Sequence, residues 1–370
     1  MKINKSSNHN CLFICGTKYS LLNILNLILQ DSVFYNDSDL VVFLRSREMK
    51  NIVERIHDLK LFRRVYMYEF INDLSFIRKI KLFLNPKTAL KQYSLGKVDN
   101  IERCSYSRII SQSIFYSFLF DMLVFSKKHY LIDEGISSYT GRTLAIRKRN
   151  FITKMLLFFQ KNKYIIGQYL NEPRLYFGPT NDVELIKIKK INKEAFATIQ
   201  LIYGDSYKSN EYRDKYVYIG APLSRLKKLL INSTGYNYKI ENNIKEILRY
   251  IFMFLGSSGI LYRLHPLETE NEIKAYHVPY IKPYDCWELL VNEINDNCRG
   301  FISVFSTAAF TPKLLYGLEP RVIFLYKLLS NEFYNADNVV MRMKKIYKQP
   351  ERICVPENIE QLEYFLTTND

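Results

Sequence analysis

The chain alternates short, wholly apolar runs with longer stretches in which apolar residues recur every three or four positions. Leu12-Phe13-Ile14-Cys15 is followed by Gly16-Thr17, after which Leu21, Leu22, Ile24, Leu25, Leu27 and Ile28 recur at helical spacing, predicting strand, turn and helix. Leu40-Val41-Val42-Phe43-Leu44 is apolar throughout, the pattern of a strand covered on both faces in a parallel sheet, and Ile52, Val53, Ile56 and Leu59 follow with helical period. Val65-Tyr66-Met67-Tyr68 and His129-Tyr130-Leu131-Ile132 extend the series. A second series begins at Tyr216-Val217-Tyr218-Ile219-Gly220. It continues through Ile260-Leu261-Tyr262-Arg263-Leu264 and Gly300-Phe301-Ile302-Ser303-Val304-Phe305 to Val322-Ile323-Phe324-Leu325. Strands separated by helix-length intervals predict α/β sheets with right-handed crossovers, and two such series predict two Rossmann-like domains. The expected division is an N-terminal α/β domain over 1–190, a linker over 191–215, a C-terminal α/β domain over 216–345, and a tail over 346–370 packing back on the first domain. Residues 145–170 mix basic and apolar side chains, as in Arg147-Lys148-Arg149 and Leu156-Leu157-Phe158-Phe159. They read as an inter-domain helix with its apolar side inward, or as a face laid against a membrane.

Composition narrows the picture. At 370 residues two domains are the default, and 48% hydrophobic with 24% charged residues excludes disordered and fibrous architectures. Lysine and arginine number 53 against 37 acidic residues, a formal charge of +16, so the surface prefers anions: nucleic acid, an anionic membrane face or phosphate-bearing small molecules. The basic residues are dispersed, which disfavours nucleic acid, since duplex binding shows a basic stripe or arm. The six cysteines form no CxxC pair and have no histidine at zinc-ligand spacing, so they read as core thiols in a reducing compartment. No run of about 20 apolar residues occurs and the N-terminus lacks the pattern of a secretory signal, so a cytoplasmic location is expected.

Three constellations can carry chemistry. Leu131-Ile132-Asp133-Glu134-Gly135 ends an apolar strand in two carboxylates and a glycine; a carboxylate there can act as a general base, and the same pattern also suits a solvated strand-to-helix turn. Tyr262-Arg263-Leu264-His265-Pro266 sets a histidine just past a strand that the proline stops, a position suited to a phosphate. Ser303-Val304-Phe305-Ser306-Thr307 runs from a strand into hydroxyl residues that can cap a helix or bind phosphate oxygens. No Walker loop and no GxGxxG is present, which disfavours P-loop chemistry and adenine dinucleotides. Asp37-Ser38-Asp39 reads as a turn ahead of the second strand, and the 29 tyrosines interleave with core positions rather than forming a stacking platform.

In order along the chain, Asp133-Glu134-Gly135, His265-Pro266 and Ser306-Thr307 resemble the acid-acid-Gly, His-Pro and Ser-Ser/Thr motifs of bacterial sialyltransferases. With the opening Leu12-Phe13-Ile14-Cys15-Gly16-Thr17, the chain looks most like glycosyltransferase family 52, which includes lipooligosaccharide and capsule α-2,3-sialyltransferases. The resemblance implies a type B glycosyltransferase fold, with an acceptor-side first domain and a second domain that binds the nucleotide sugar. It implies inverting transfer from CMP-sialic acid to a galactose-terminated glycan, lipid-linked acceptors included, with no metal or other cofactor. Carried over by motif, Asp133 is the base and Glu134 its reserve, Gly135 shapes the turn, and His265 assists the departing CMP phosphate. Gly220, Arg263, Pro266, Glu288, Ser306 and Thr307 are the expected CMP-binding residues. One departure concerns the base: some members use an aspartate ahead of the His-Pro motif, and residues 220–264 contain Glu241 and Glu246 but no aspartate. The implied setting is the cytoplasmic side of the inner membrane, with a homodimer as the expected assembly and no nucleic-acid partner. A polysialyl-type or other activated-sugar transferase shares these motifs, and a basic, non-catalytic peripheral membrane protein is the alternative from another class.

Overall fold

The computed structural model describes residues 8–35, 37–69, 95, 105–113, 120, 125–126, 128–140, 165–178, 183–204, 209–220, 238–265, 268, 270–274, 278–281, 286–329 and 336–368. The chain divides into two compact units, Met1–Gly204 and Asp205–Asp370.

The first unit is built on a parallel sheet. Its strands are β1 (Asn8–Cys15), β2 (Ser38–Leu44), β3 (Arg64–Glu69), β4 (Ser105–Ser111), β5 (Phe125–Ser126), β6 (His129–Ile132), β7 (Ile165–Leu170) and β8 (Glu184–Lys187). They lie in the order β3-β2-β1-β4-β6-β7-β8, with β5 pairing β4 off this path. Residues 11–15 of β1 and 40–43 of β2 have no solvent exposure, so consecutive residues, which point to opposite faces, are covered on both sides of the sheet centre. Helix α1 (Lys18–Gln30) starts at Thr17, whose hydroxyl caps the Ser20 N–H at 3.2 Å, and α2 (Arg47–Asp58) buries Met49, Ile52, Val53 and Ile56 along one stripe.

The second unit repeats the plan with β9 (Tyr216–Ile219), β10 (Ile260–Arg263), β11 (Tyr280–Ile281), β12 (Gly300–Ser303), β13 (Val322–Phe324) and β14 (Ile353–Cys354). The order is β11-β10-β9-β12-β13-β14, again parallel throughout. Two parallel α/β units in succession are the class that the apolar runs predict.

Several elements escaped the hydrophobic pattern. Strand β4, Ser-Tyr-Ser-Arg-Ile-Ile-Ser, interleaves polar residues although it pairs with β1; Arg108 is accommodated because its guanidinium lies 5.4 Å from the Phe34 ring centre and donates to the Tyr169 hydroxyl at 3.3 Å. Residues 165–170, expected to end an inter-domain helix, form β7 between β6 and β8; 141–164 lie outside the described residues. In the stretch expected as linker, Lys193–Tyr203 forms a helix, α3, packed on α1 and α2, where Arg55 donates to the Ile202 carbonyl at 2.9 Å. In the tail, Ile359–Thr367 forms a helix whose last carbonyls accept from Arg299 (3.0 Å) and Arg321 (2.9 Å) of the second unit. Among the described residues no helix is long and apolar enough to cross a membrane.

Ser38 and Asp39, expected in a turn, open β2 instead. Asp39 is fully buried at the amino end of the sheet, where it takes both ends of the Arg63 guanidinium and the Tyr106 hydroxyl at 2.6 Å. Asn at this position cannot accept the bidentate guanidinium. Asp39→Asn is expected to cost about 2 kcal/mol, below the ~3–5 kcal/mol of a fully buried broken pair because the Arg63 side chain is partly solvated, read as a lower urea midpoint.

Candidate functional site

In the first unit the chain runs from β1 outward to β2 and β3, then returns to place β4 on the other side of β1. In the second it runs from β9 to β10 and β11, then places β12 on the other side of β9. Each sheet therefore has a switch point, β1/β4 and β9/β12, and ligands of open α/β sheets gather outside the carboxyl ends of the strands there. All three constellations lie at carboxyl ends: Asp133-Glu134-Gly135 after β6, His265 after β10, and Ser306-Thr307 after β12.

At the edge of the first sheet the two adjacent carboxylates meet opposite fates. Asp133 is fully buried and its oxygens are filled: Oδ1 accepts from the Gly135 N–H (2.8 Å), and Oδ2 accepts from the Tyr139 hydroxyl and from the backbone N–H and side-chain amide of Asn171 (both 3.1 Å). Gly135 turns at φ 97°, a conformation open to glycine, which lets its N–H fold back to Asp133. Burial pushes the Asp133 carboxyl up, and these four donors pull against it. Asp133 thus ties the ends of β6 and β7 to the helical turn Ile136–Tyr139.

Glu134 is half-buried, and its N–H donates to the Ser138 hydroxyl at 2.9 Å. Desolvation raises its carboxyl to about 7; Arg45, just past β2, and a hydrogen bond with Thr17 pull it down, while the Asp133 charge pushes it up. The Gly16-Thr17 turn is fixed in turn by Gln112 after β4, whose Oε1 accepts from the Gly16 N–H (2.5 Å) and the Ser20 hydroxyl (2.9 Å). Thr17, Arg45, Gln112 and Asn171 were not singled out from the sequence; their common signal is that each falls within two residues of the end of a strand.

At the edge of the second sheet, His265 is half-buried and follows Leu264, whose N–H makes the last ladder bond, to Ile281 O at 3.1 Å. Ser306 caps the short helical turn Thr307–Phe310 by accepting from the Ala308 N–H at 3.3 Å. Trp287 joins the two strand ends: the Arg263 guanidinium lies 4.9 Å from its ring centre, and its indole N–H donates to the Ala308 carbonyl at 2.8 Å. Arg263 is thereby buried against Trp287. Glu288 accepts from the Cys286 thiol at 3.2 Å, and Gly220 is buried at the end of β9. Pro266 lies outside the described residues. The structure thus sets His265 and Ser306-Thr307 at the ends of the two neighbours of β9, and Asp133 and Glu134 at the edge of the other sheet. Among the described residues no group of three or more His, Cys, Asp or Glu is placed to hold a metal ion.

The fold is similar to that of bacterial sialyltransferases. The 2,6-sialyltransferase of Photobacterium sp. JT-ISH-224, solved with CMP and lactose, is 12% identical, with 94% of this chain and 78% of that one covered and a TM-score of 0.49. The α-2,3-sialyltransferase of Photobacterium phosphoreum is 9% identical, with 94% and 99% covered and a TM-score of 0.44. MurG of Acinetobacter baumannii is 9% identical, with 98% and 92% covered and a TM-score of 0.44. No protein-family model matches the sequence, and no curated protein does. The chemistry therefore rests on the residues at the two strand edges.

Asp133→Asn sets an amide where the native carboxylate only accepts, so at least one of the four donors loses its acceptor. A stability loss of about 2 kcal/mol is expected, measured by urea unfolding; a variant as stable as the native chain would contradict this tethering role.

Proposed function

We propose that the chain is an inverting glycosyltransferase that moves sialic acid from CMP-sialic acid to a galactose-terminated surface glycan, without a metal. The observation that carries the reading is the placement of His265 and Ser306-Thr307 on either side of β9, at the carboxyl edge and switch point of the second sheet. An imidazole and two hydroxyls are a donor set suited to a phosphate monoester. CMP is a good leaving group whose departure needs its growing charge neutralised, and these groups supply that.

In the reaction the acceptor hydroxyl oxygen bonds to the anomeric carbon as the bond from that carbon to the phosphate oxygen breaks. The acceptor proton goes to the base, and the electron pair leaves with CMP. We assign the base to Glu134 in place of Asp133. Asp133 is sealed and its acceptor sites are filled, whereas Glu134 is partly accessible and its carboxyl is held near 7, where a base is both ionised and strong enough at neutral pH. A base works ionised, so turnover should rise as pH rises through about 7 and fall below it as Glu134 takes up a proton. Glu134→Gln is expected to abolish that acidic limb and lower kcat by about 100-fold or more, consistent with loss of general-base catalysis.

The decisive experiment offers CMP-sialic acid and a panel of galactosides to the purified protein and follows CMP release. Release that depends on a galactoside, survives EDTA and falls by about 100-fold or more in His265→Ala while staying measurable is the expected result. No release with any galactoside would overturn the proposal.

A further inference from the structure

After Leu264, whose N–H bonds to the Ile281 carbonyl, the chain leaves the sheet at the end of β10, so the His265 N–H needs an acceptor from elsewhere. Glu268, three residues on, supplies it. Its Oε2 accepts from the His265 N–H at 2.7 Å while its own N–H donates to the His265 carbonyl at 2.9 Å. The side chain thus reaches back as the acidic half of a capping box does. Its other oxygen is engaged as well: Oε1 accepts from the Tyr262 hydroxyl at 2.9 Å, and Tyr262 stacks on Tyr218 of β9 with ring centres 4.9 Å apart.

The carboxylate also accounts for Gly220. A Cβ at that position would sit 2.2 Å from Glu268 Oε2 and 2.9 Å from the Arg263 carbonyl, so the end of β9 has to lack a side chain for the glutamate to lie there. Gly220, which the resemblance sets among the CMP-binding residues, leaves room here for Glu268. The Gly220 N–H donates to the Arg263 carbonyl at 2.9 Å, which closes β9 and β10 around the same group.

We propose that Glu268 is the positioning residue for His265: by accepting from the His265 N–H and the Tyr262 hydroxyl at once, over the bare Gly220, it fixes where the histidine stands at the carboxyl edge of the second sheet. The proposal deepens the sialyl-transfer reading and rests on it for the role of His265. A carboxylate fits this task because a charge-assisted hydrogen bond is shorter and stronger than a neutral one, and its two oxygens hold two elements with one side chain. Displacing a catalytic group by about 1 Å can cost on the order of 100-fold in rate, so a tether that fixes the backbone at His265 bears directly on the rate.

Two measurements test it on the full chain. Backbone hydrogen exchange in Glu268→Ala should show lost protection at the His265 N–H while the amides of Leu261 and Tyr262 in β10 stay protected; Glu268→Gln, which keeps one acceptor oxygen, should retain part of it. Unchanged protection at His265 in Glu268→Ala overturns the proposal, whatever the enzyme does. The second is a double-mutant cycle with His265→Ala, read as CMP affinity through the fluorescence of Trp287, the single tryptophan, and as kcat and KM for CMP release. Glu268→Ala should cost roughly 10- to 100-fold in kcat/KM in the native background and less than about 2-fold when His265 is already absent. Equal losses in both backgrounds would make Glu268 a general structural residue and overturn the positioning role. Lost protection at His265 in a protein that neither binds CMP nor releases it would leave the tether standing and remove the sialyl-transfer reading.

Discussion

A parallel sheet buried on both faces sets most of its available polar chemistry where its strands stop. Along the strands the backbone groups are paired in the ladder and the side chains fill an apolar interior, as in residues 11–15 and 40–43, which have no exposure. At the carboxyl ends the ladder is finished, the chain must turn, and N–H groups need new acceptors. Among the described residues, the groups assigned to function lie there: Thr17, Arg45, Gln112, Glu134, His265 and Ser306-Thr307 each come just after the last ladder residue of a strand or within a few positions of it.

The same constraint divides labour between neighbouring acids. Asp133 and Glu134 are adjacent in sequence and start from similar intrinsic acidity, yet one is sealed among four donors and the other is half-exposed beside Arg45 and Thr17. Asp133 organises the turn that presents Glu134. At the second sheet the pattern recurs with different residues: Glu268 and Trp287 are spent on holding neighbouring turns, and His265 and Ser306-Thr307 are the residues those turns carry. In both places the group that stabilises the edge and the group offered for chemistry are distinct.

Legibility in the sequence followed burial. Strands buried on both faces wrote themselves as uninterrupted apolar runs, so β1, β2, β6, β9, β10, β12 and β13 were readable. Strands β4 and β7 were hidden by Arg108, Gly167 and Gln168, which tertiary partners accommodate: a phenyl ring and a tyrosine hydroxyl for Arg108, and the Ser138 carbonyl for Gln168. The acidic, histidine and hydroxyl turns were visible because each interrupts an apolar run abruptly. Gln112, Asn171 and Glu268 were not, because an amide or a carboxylate in a loop has no periodicity to betray what it binds.

The sequence by itself determined the two-series α/β plan and the order of the three polar turns, because alternation of apolar runs and helical spacing is local and survives in one dimension. Which strand became the neighbour of β9, which of two adjacent carboxylates was sealed, and why position 220 lacks a side chain were decided only by the tertiary structure. Those outcomes depend on groups 38 to 48 residues apart in some cases, as with Asp133 and Asn171 or Gly220 and Glu268, being brought within hydrogen-bonding or contact distance. Such approaches are set by strand order, which no local pattern encodes.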